Sequence, residues 1–172
     1  MYTLEEIRLI VLNTLLETGV NRLPVDIGYW YKRKGWRCYT YSHAKRNGIS
    51  VDHAQRCVTV KSEEGLTVYY DDTVRPVGRI RWTLAYEGAR IVLGPDSTNR
   101  EADYFAEQFL MPVAPLVFLG VKTADDIMLT CQVTRDVAYR RAEDLIYRET
   151  YGDSAGYEEL DWAVLRQFGM QK

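Results

Sequence analysis

A chain of 172 residues with 22 basic and 24 acidic side chains, and hence a net charge of −2, has the size and balance of a single soluble globular domain. No apolar run approaches the roughly 20 residues of a membrane span, and glutamates in the first 19 residues argue against a secretory signal. Its three cysteines are far apart and form no C-x-x-C pair, which favours reduced thiols in a cytoplasmic protein.

The basic residues are unevenly distributed. Residues 22–61 contain nine basic and two acidic side chains, a net charge of +7, so the remainder carries −9. A basic segment interleaved with aromatic residues is typical of surfaces that bind nucleic acid or an acidic partner. We favour the alternative, a solvated surface with the aromatic rings turned inward. The aromatic residues are Tyr29, Trp30, Tyr31, Trp36, Tyr39 and Tyr41.

Two helices are predicted first. Thr3 followed by Glu6 forms a capping-box pattern that opens an amphipathic helix, which Gly19 ends. Pro24 fits the first turn of a second helix that runs to Gly35.

The next segments predict a small antiparallel sheet within residues 36–70. WRCYTYS, at 36–42, indicates a strand, and the polar stretch 43–55 is expected to be irregular. CVTVKSEEGLTVYYDD then predicts a hairpin that turns at residues 63–65.

Helical spacing returns at residues 78–93 and again at 98–110, where Ser97 or Thr98 can serve as the cap. Thr123 and Thr134 cap two further short helices whose spacing fits a helix-turn-helix. The arginines of these two helices could contact phosphate, but acidic residues between them cancel most of the positive charge. We therefore favour packing on the core or on a protein partner. The arginines are Arg135, Arg140, Arg141 and Arg148.

These elements predict an α+β fold with helices at both ends of the chain. The predicted organisation is a main domain over residues 1–122, a helix-turn-helix-like extension over 123–150, and a tail over 151–172 that carries a loosely attached helix.

One predicted helix contains part of a peptidase motif. A zinc peptidase of the H-E-x-x-H type needs two imidazoles one helical turn apart, a glutamate that activates the metal-bound water, and a third ligand from a later helix. Here the corresponding segment reads Y-E-G-A-R, residues 86–90, so that only the glutamate is present.

The flanking residues are more specific. RIRWTLAYEGARIVLG followed by EADYFAEQFLMP resembles the ImmA/IrrE family of metallo-endopeptidases, whose members carry [RK]-[FW]-T-[LI]-A-H-E-L-G-H-[IL]-x-L-G and then E-A-x-x-F-A-x-x-L-L-M-P. LPVD, VYYDD and the late QVTRDVAYRRAEDL extend the resemblance over roughly residues 22–148. It implies a zincin-like fold in which a small sheet packs on the motif helices. It also implies a role in cleaving repressors, often on phages or other mobile elements.

By position in that motif, Tyr86 and Arg90 replace the two zinc-binding histidines. Glu87 stands at the general base and Glu101 at the third ligand. Two carboxylates without imidazole make a poor zinc site, and a guanidinium repels a divalent cation. We therefore expect that zinc, the family's cofactor, is lost and that no cofactor replaces it.

Removal of the metal would leave two carboxylates facing one another. Arg90 lies three residues from Glu87 on one helical face, so we predict an ion cluster of Glu87, Arg90 and Glu101 in place of the metal, with Tyr86 filling the remaining volume. The alternative is that Arg90 points into solvent. Neither histidine, His43 or His53, matches a ligand position.

The leading functional hypothesis is a catalytically inactive relative that binds a protein partner, such as a helix-turn-helix repressor, without cutting it. Glu87 is expected in a cleft between the sheet edge and the 98–110 helix, where a peptidase would hold an extended substrate. The alternatives are an active metallo-endopeptidase that cleaves a repressor, and a toxin–antitoxin or phage counter-defence component. Nucleic acid is a weakly supported partner, and a membrane is not expected.

Overall fold

The structure, a computed structural model, describes residues 1–151 and 158–170. Within these residues, no helix has the length and apolar character needed to cross a bilayer. The strands are β1 (Arg37–Thr40), β2 (Cys57–Ser62) and β3 (Gly65–Tyr70). The helices are α1 (Leu4–Thr18), α2 (Ile27–Arg33), α3 (Tyr41–Arg46), α4 (Val77–Leu93), α5 (Asn99–Leu110), α6 (Val113–Phe118), α7 (Ala124–Cys131), α8 (Arg135–Tyr151) and α9 (Glu159–Gln167). The fold is α+β, as predicted.

The sheet is mixed, so the prediction of an antiparallel sheet is wrong in part. β2 and β3 form the expected antiparallel hairpin, but β1 pairs with β3 in parallel, with Cys38 opposite Val68, and the strand order is β1-β3-β2. Val68 is fully buried, and β3 is the most buried strand. The most apolar strand therefore takes the centre of the sheet, and β1 pairs on its free side.

Two helices, α2 and α3, differ from the prediction because a side chain caps the first turn of each. α2 begins at Ile27, since the Asp26 carboxylate accepts a hydrogen bond from the Tyr29 amide. α3 forms where an irregular stretch was expected, because the Thr40 hydroxyl caps it by accepting from the His43 amide at 2.9 Å. The short helix α6, which begins directly after Pro112, was not predicted.

The core is centred on Trp30, which is fully buried. Its ring lies 4.1 Å from that of Phe109 and stacks on Phe105. α4 lies directly against the indole at Gly88, where an added Cβ would be 2.4 Å from Trp30 Cη2. Only glycine permits this approach of helix to ring.

The C-terminal helices share this core. Ile127 and Cys131 of α7 and Ala138 of α8 are fully buried within it, so the core is continuous across the predicted boundary at residue 122. The turn between α7 and α8 lies on the start of α4, where a Cβ on Gly78 would be 2.8 Å from the Thr134 nitrogen.

The tail is anchored, and the prediction of a loosely attached helix is wrong for residues 158–170. Val164 and Leu165 of α9 are fully buried, and the Gln167 side-chain amide donates to the carbonyls of Leu15 and Val20 at 2.7 and 2.6 Å. Arg8 of α1 adds ion pairs to this helix and its cap. Residues 152–157 and 171–172 of the predicted tail lie outside the described residues.

Candidate binding surface at the degenerate motif

Glu87 lies on α4 and faces the sheet. Thr59 of β2 pairs with the buried Val68, so its side chain shares the sheet face that is turned towards the core and α4. The Thr59 hydroxyl donates a hydrogen bond to Glu87 Oε1 at 2.5 Å. The glutamate at the general-base position is thus tied to the outer strand of the sheet.

Tyr86 and Arg90, one helical turn apart, face the start of α5 instead. The Tyr86 hydroxyl donates to Asn99 Oδ1 at 2.8 Å. Arg90 Nη1 makes only long contacts, at 3.4 Å, to the carbonyl of Ser97 and to the same Asn99 oxygen. Tyr86 and Arg90 therefore link α4 to the α5 cap region.

Glu101 is part of the α5 cap. The Thr98 amide and hydroxyl donate to Oε2 at 2.6 and 2.8 Å, and the Tyr2 amide donates to Oε1. The residue is only 5 % exposed. The Thr98 amide, the Thr98 hydroxyl and the Tyr2 amide lower the pKa of Glu101 to about 2, against the opposing effect of burial.

The predicted ion cluster is therefore wrong. Glu87 bonds to β2, Arg90 contacts neutral oxygens, and Glu101 is held by its own cap and by Tyr2. In the described part of the chain, no ion pair joins Arg90 to either carboxylate. At the third position of α5, the Glu101 side chain reaches back to the cap and not across to α4.

A sequence signal for this arrangement was available. Thr98 and Glu101 have the same T-x-x-E spacing as Thr3 and Glu6, which correctly predicts the cap of α1. At α5 the capping box accounts for Glu101 by itself, without a ligand role.

These donors do not fit zinc. One ligand position holds a phenol that bonds to Asn99, the second a guanidinium, and the third a carboxylate whose two oxygens are engaged. No three His, Cys, Asp or Glu side chains within the described ranges lie close enough together to hold a metal ion. The loss of zinc stays a prediction, which metal analysis of the purified protein can test.

The remaining histidines and thiols form no alternative site. His43 stacks on Tyr39 at 4.5 Å, and His53 meets the edge of the Tyr41 ring, both on the face of the sheet opposite Glu87. Cys57 points to the Glu87 side, because it shares a face with Thr59. Burial, followed by the charge of Glu87, raises the pKa of the Cys57 thiol far above its usual range, so the thiol stays protonated.

All four arginines of α8 are engaged within the chain. Arg140 lies over the Trp82 ring at 5.7 Å, and Arg141 is fully buried against Asp144 at 2.8 Å. Arg135 and Arg148 pair with Asp125 and Asp144 respectively. This helix consequently presents little uncompensated positive charge for phosphate contacts.

Three of the six aromatic residues of the basic segment are buried. Trp30, Tyr31 and Tyr41 are buried, whereas Tyr29 and Tyr39 are exposed. For these three buried rings, the interpretation of a solvated basic surface over inward aromatics is confirmed.

β2 is an open edge. It pairs with β3 on one side only, and in the described part of the chain its outer side has no strand partner. Val60 is 43 % exposed, and the last residues of the strand are exposed as well. We call the surface formed by this edge and the motif side chains beside it the β2–α4 surface; it comprises Thr59, Lys61, Tyr86, Glu87, Arg90 and Asn99.

Comparison with known proteins found no matching family model, no similar curated protein and no similar solved structure.

Proposed function

We propose that this protein is a non-catalytic relative of the ImmA/IrrE metallo-endopeptidases that binds an extended segment of a partner protein, such as a helix-turn-helix repressor, and leaves it uncut. The observation that carries the proposal is the open edge of β2 beside Glu87, at a motif whose other positions are engaged within the chain.

An open edge supports binding because an extended peptide can add to it as a further strand. Main-chain hydrogen bonds then supply affinity, and side-chain contacts supply selectivity. The edge of β2 lies beside α4 at Glu87, which is where the resemblance would place an extended substrate, and this supports the proposal.

Binding without cleavage follows from the donor set. The glutamate of such a peptidase acts on a metal-bound water, and here Glu87 is hydrogen-bonded to Thr59 beside a phenol and a guanidinium. The Glu87 carboxylate can accept hydrogen bonds from a bound peptide, but there is no metal-bound water for it to activate as the nucleophile.

Cleavage is tested with repressors encoded beside the gene. We expect a complex that survives chelator, a partner that mass spectrometry finds intact with both the wild type and Glu87→Gln, and no stoichiometric zinc by elemental analysis. Chelator-sensitive cleavage that disappears in Glu87→Gln would establish the active peptidase instead.

The location of binding is tested by amide hydrogen exchange of the same complex. We expect new protection in β2, residues 57–62, with β1, residues 37–40, as the internal control because it is the other edge of the sheet. Protection confined to α7 and α8 would place the partner elsewhere and contradict the proposal.

A further inference from the structure

A cavity of about 750 Å³ opens between α1, α6, α8 and α9, and none of the described residues that line it belongs to the β2–α4 surface. A volume within roughly 300–1,000 Å³ is typical of sites that enclose a small molecule. Half of the lining side chains are apolar, and Val11, Leu12 and Leu145 among them belong to the core. Ala114 and Val117 of α6 line the cavity as well.

Gln108 of α5 is a buried polar residue of this cavity. It is only 5 % exposed, and its side-chain amide forms no hydrogen bond with any residue that the structure describes. The fully enclosed polar atoms without a partner belong to Trp30, Arg81 and Arg141, so the Gln108 amide keeps some accessible surface, and the space that it lines is the cavity. An amide that is shielded from bulk solvent is costly to leave unpaired, so this group needs a partner that enters the cavity.

The charged side chains at the cavity are paired within the chain. Arg8 pairs with three carboxylates at 2.6–3.2 Å, Lys122 with Glu149 at 2.6 Å, and Arg148 with Asp144 at 3.1 Å. The carboxylates around Arg8 are Glu5, Glu158 and Asp161. These pairs include every charged lining residue that the structure describes, so the charge balance of the cavity favours a neutral ligand.

We infer that this cavity binds a neutral small molecule with an apolar body and a carboxamide group, in addition to the proposed binding of a partner at the β2–α4 surface. The apolar body packs against the valine and leucine side chains, and the carboxamide pairs with Gln108. Each of the two amides offers a carbonyl acceptor and N–H donors, so together they form two reciprocal hydrogen bonds.

Other head groups fit less well. A ketone satisfies only the donor side of the Gln108 amide and leaves its carbonyl unpaired. A carboxylate would bring an uncompensated negative charge into a space whose cations already have acidic partners.

Three probes of similar shape test the inference: 1-naphthamide, 1-acetylnaphthalene and 1-naphthoate, each titrated into this chain and followed by two-dimensional NMR. We expect the amide to bind about three- to ten-fold more tightly than the ketone, because it gains one further hydrogen bond, and the carboxylate to bind most weakly. Absence of binding by the amide at millimolar concentration would overturn the inference. Equal binding of the amide and the ketone would overturn it as well.

Gln108→Leu keeps the approximate size of the side chain and removes its amide. The variant should abolish the difference between the amide and the ketone, and it should retain the binding of the ketone. A preference for the amide that persists in this variant would show that another group recognises it, which would contradict the role of Gln108.

The thermal midpoint of the free protein is a second measurement on the same variant. Gln108→Leu removes an amide without a partner, so it should raise the midpoint or leave it unchanged. Gln167→Leu is the matched control and should lower the midpoint, because the Gln167 amide donates to the carbonyls of Leu15 and Val20. A decrease of the same size in Gln108→Leu would mean that its amide is already satisfied, and the inference would fail.

The location of the site is tested with two tryptophan variants. Val117 lines the cavity and Leu119 does not, although both are 49 % exposed. Val117→Trp should weaken the binding of 1-naphthamide several-fold because the larger side chain takes up part of the cavity, whereas Leu119→Trp should leave it unchanged. If neither variant changes the binding, the probe lies elsewhere and the inference is overturned.

Discussion

The two sides of α4 are under different physical constraints. On the inner side, Gly88 lies against the Trp30 ring and Gly78 against the α7–α8 turn, at distances that exclude even a methyl group. On the outer side, Tyr86, Glu87 and Arg90 are half-buried, and each makes polar contacts with only one or two partners. Tyr86 and Arg90 both lie on the outer side, so substitutions there should disturb the core less than substitutions at Gly78 or Gly88.

Glu101 lies in sequence with the motif but belongs with the inner side. Its carboxylate closes the α5 cap and joins it to Tyr2 at the start of α1. Glu101 therefore has a structural role, whereas Tyr86, Glu87 and Arg90 form part of the surface. Substitutions in each group test this distinction.

The largest effect is expected for Gly88→Ala. The new methyl group would overlap a fully buried indole that Phe105 and Phe109 hold in place, so overpacking should lower the free energy of unfolding by about 1–3 kcal/mol. Denaturant unfolding measures this change.

Gly28→Ala is the matched control, because an added Cβ there meets only the Asp26 carboxylate at an ordinary 3.5 Å. In this exposed helical position alanine should be neutral or stabilising by up to about 1 kcal/mol. Equal effects at both glycines would show that the contact with Trp30 does not constrain α4.

An intermediate effect is expected for Glu101→Gln, with a characteristic pH dependence. The folded pKa of Glu101 is lowered to about 2 from the usual 4.5, so its stabilising contribution is complete above the unfolded pKa and is lost as the pH falls towards 2. The thermal midpoint of the variant should lie below that of the wild type by several degrees at pH 7, and this difference should shrink between pH 4.5 and 2.

Glu6→Gln provides the comparison, since Glu6 closes the same type of cap on α1 but is exposed and has no third donor. The same sign and a smaller difference in thermal midpoint are expected. If the two variants were alike, the Tyr2 contact and the burial of Glu101 would contribute little.

The smallest effect is expected on the outer side, for Tyr86→Phe. The variant loses one exposed hydrogen bond to Asn99 and keeps the ring, so the free energy of unfolding should fall by only about 0.5 kcal/mol. A loss as large as that of Gly88→Ala would break the distinction between the two sides of α4.

Local features of the fold were predictable from the sequence, and pairings at a distance were not. The caps of α1 and α5 and the β2–β3 hairpin depend on residues a few positions apart, which the sequence displays directly. The position of β1 depends on which strand is most apolar and on how the chain crosses after α3, and neither is a local property.

At the candidate site, too, local features could be predicted and contacts between distant residues could not. The sequence predicted that Glu87 would lie in a cleft between the sheet edge and the 98–110 helix, and Glu87 does contact the edge strand β2. The ion cluster was predicted from charge and helical spacing, and neither of these determines which donors each carboxylate accepts from. Hydrogen-bond geometry at the α5 cap decides where the Glu101 carboxylate points. The Thr59 contact could not have been found from local sequence, because the two partners are 28 residues apart.

The cap at Glu101 also limits what this region could bind. A metal site built by Tyr86→His and Arg90→His would gain two imidazoles, yet Glu101 could join them only by leaving two Thr98 donors and the Tyr2 amide. The start of α5 would lose its cap and its tie to α1 in the same step. A carboxylate that closes a helix cap and joins two helices is therefore a poor metal ligand, because coordination would cost the fold both contacts.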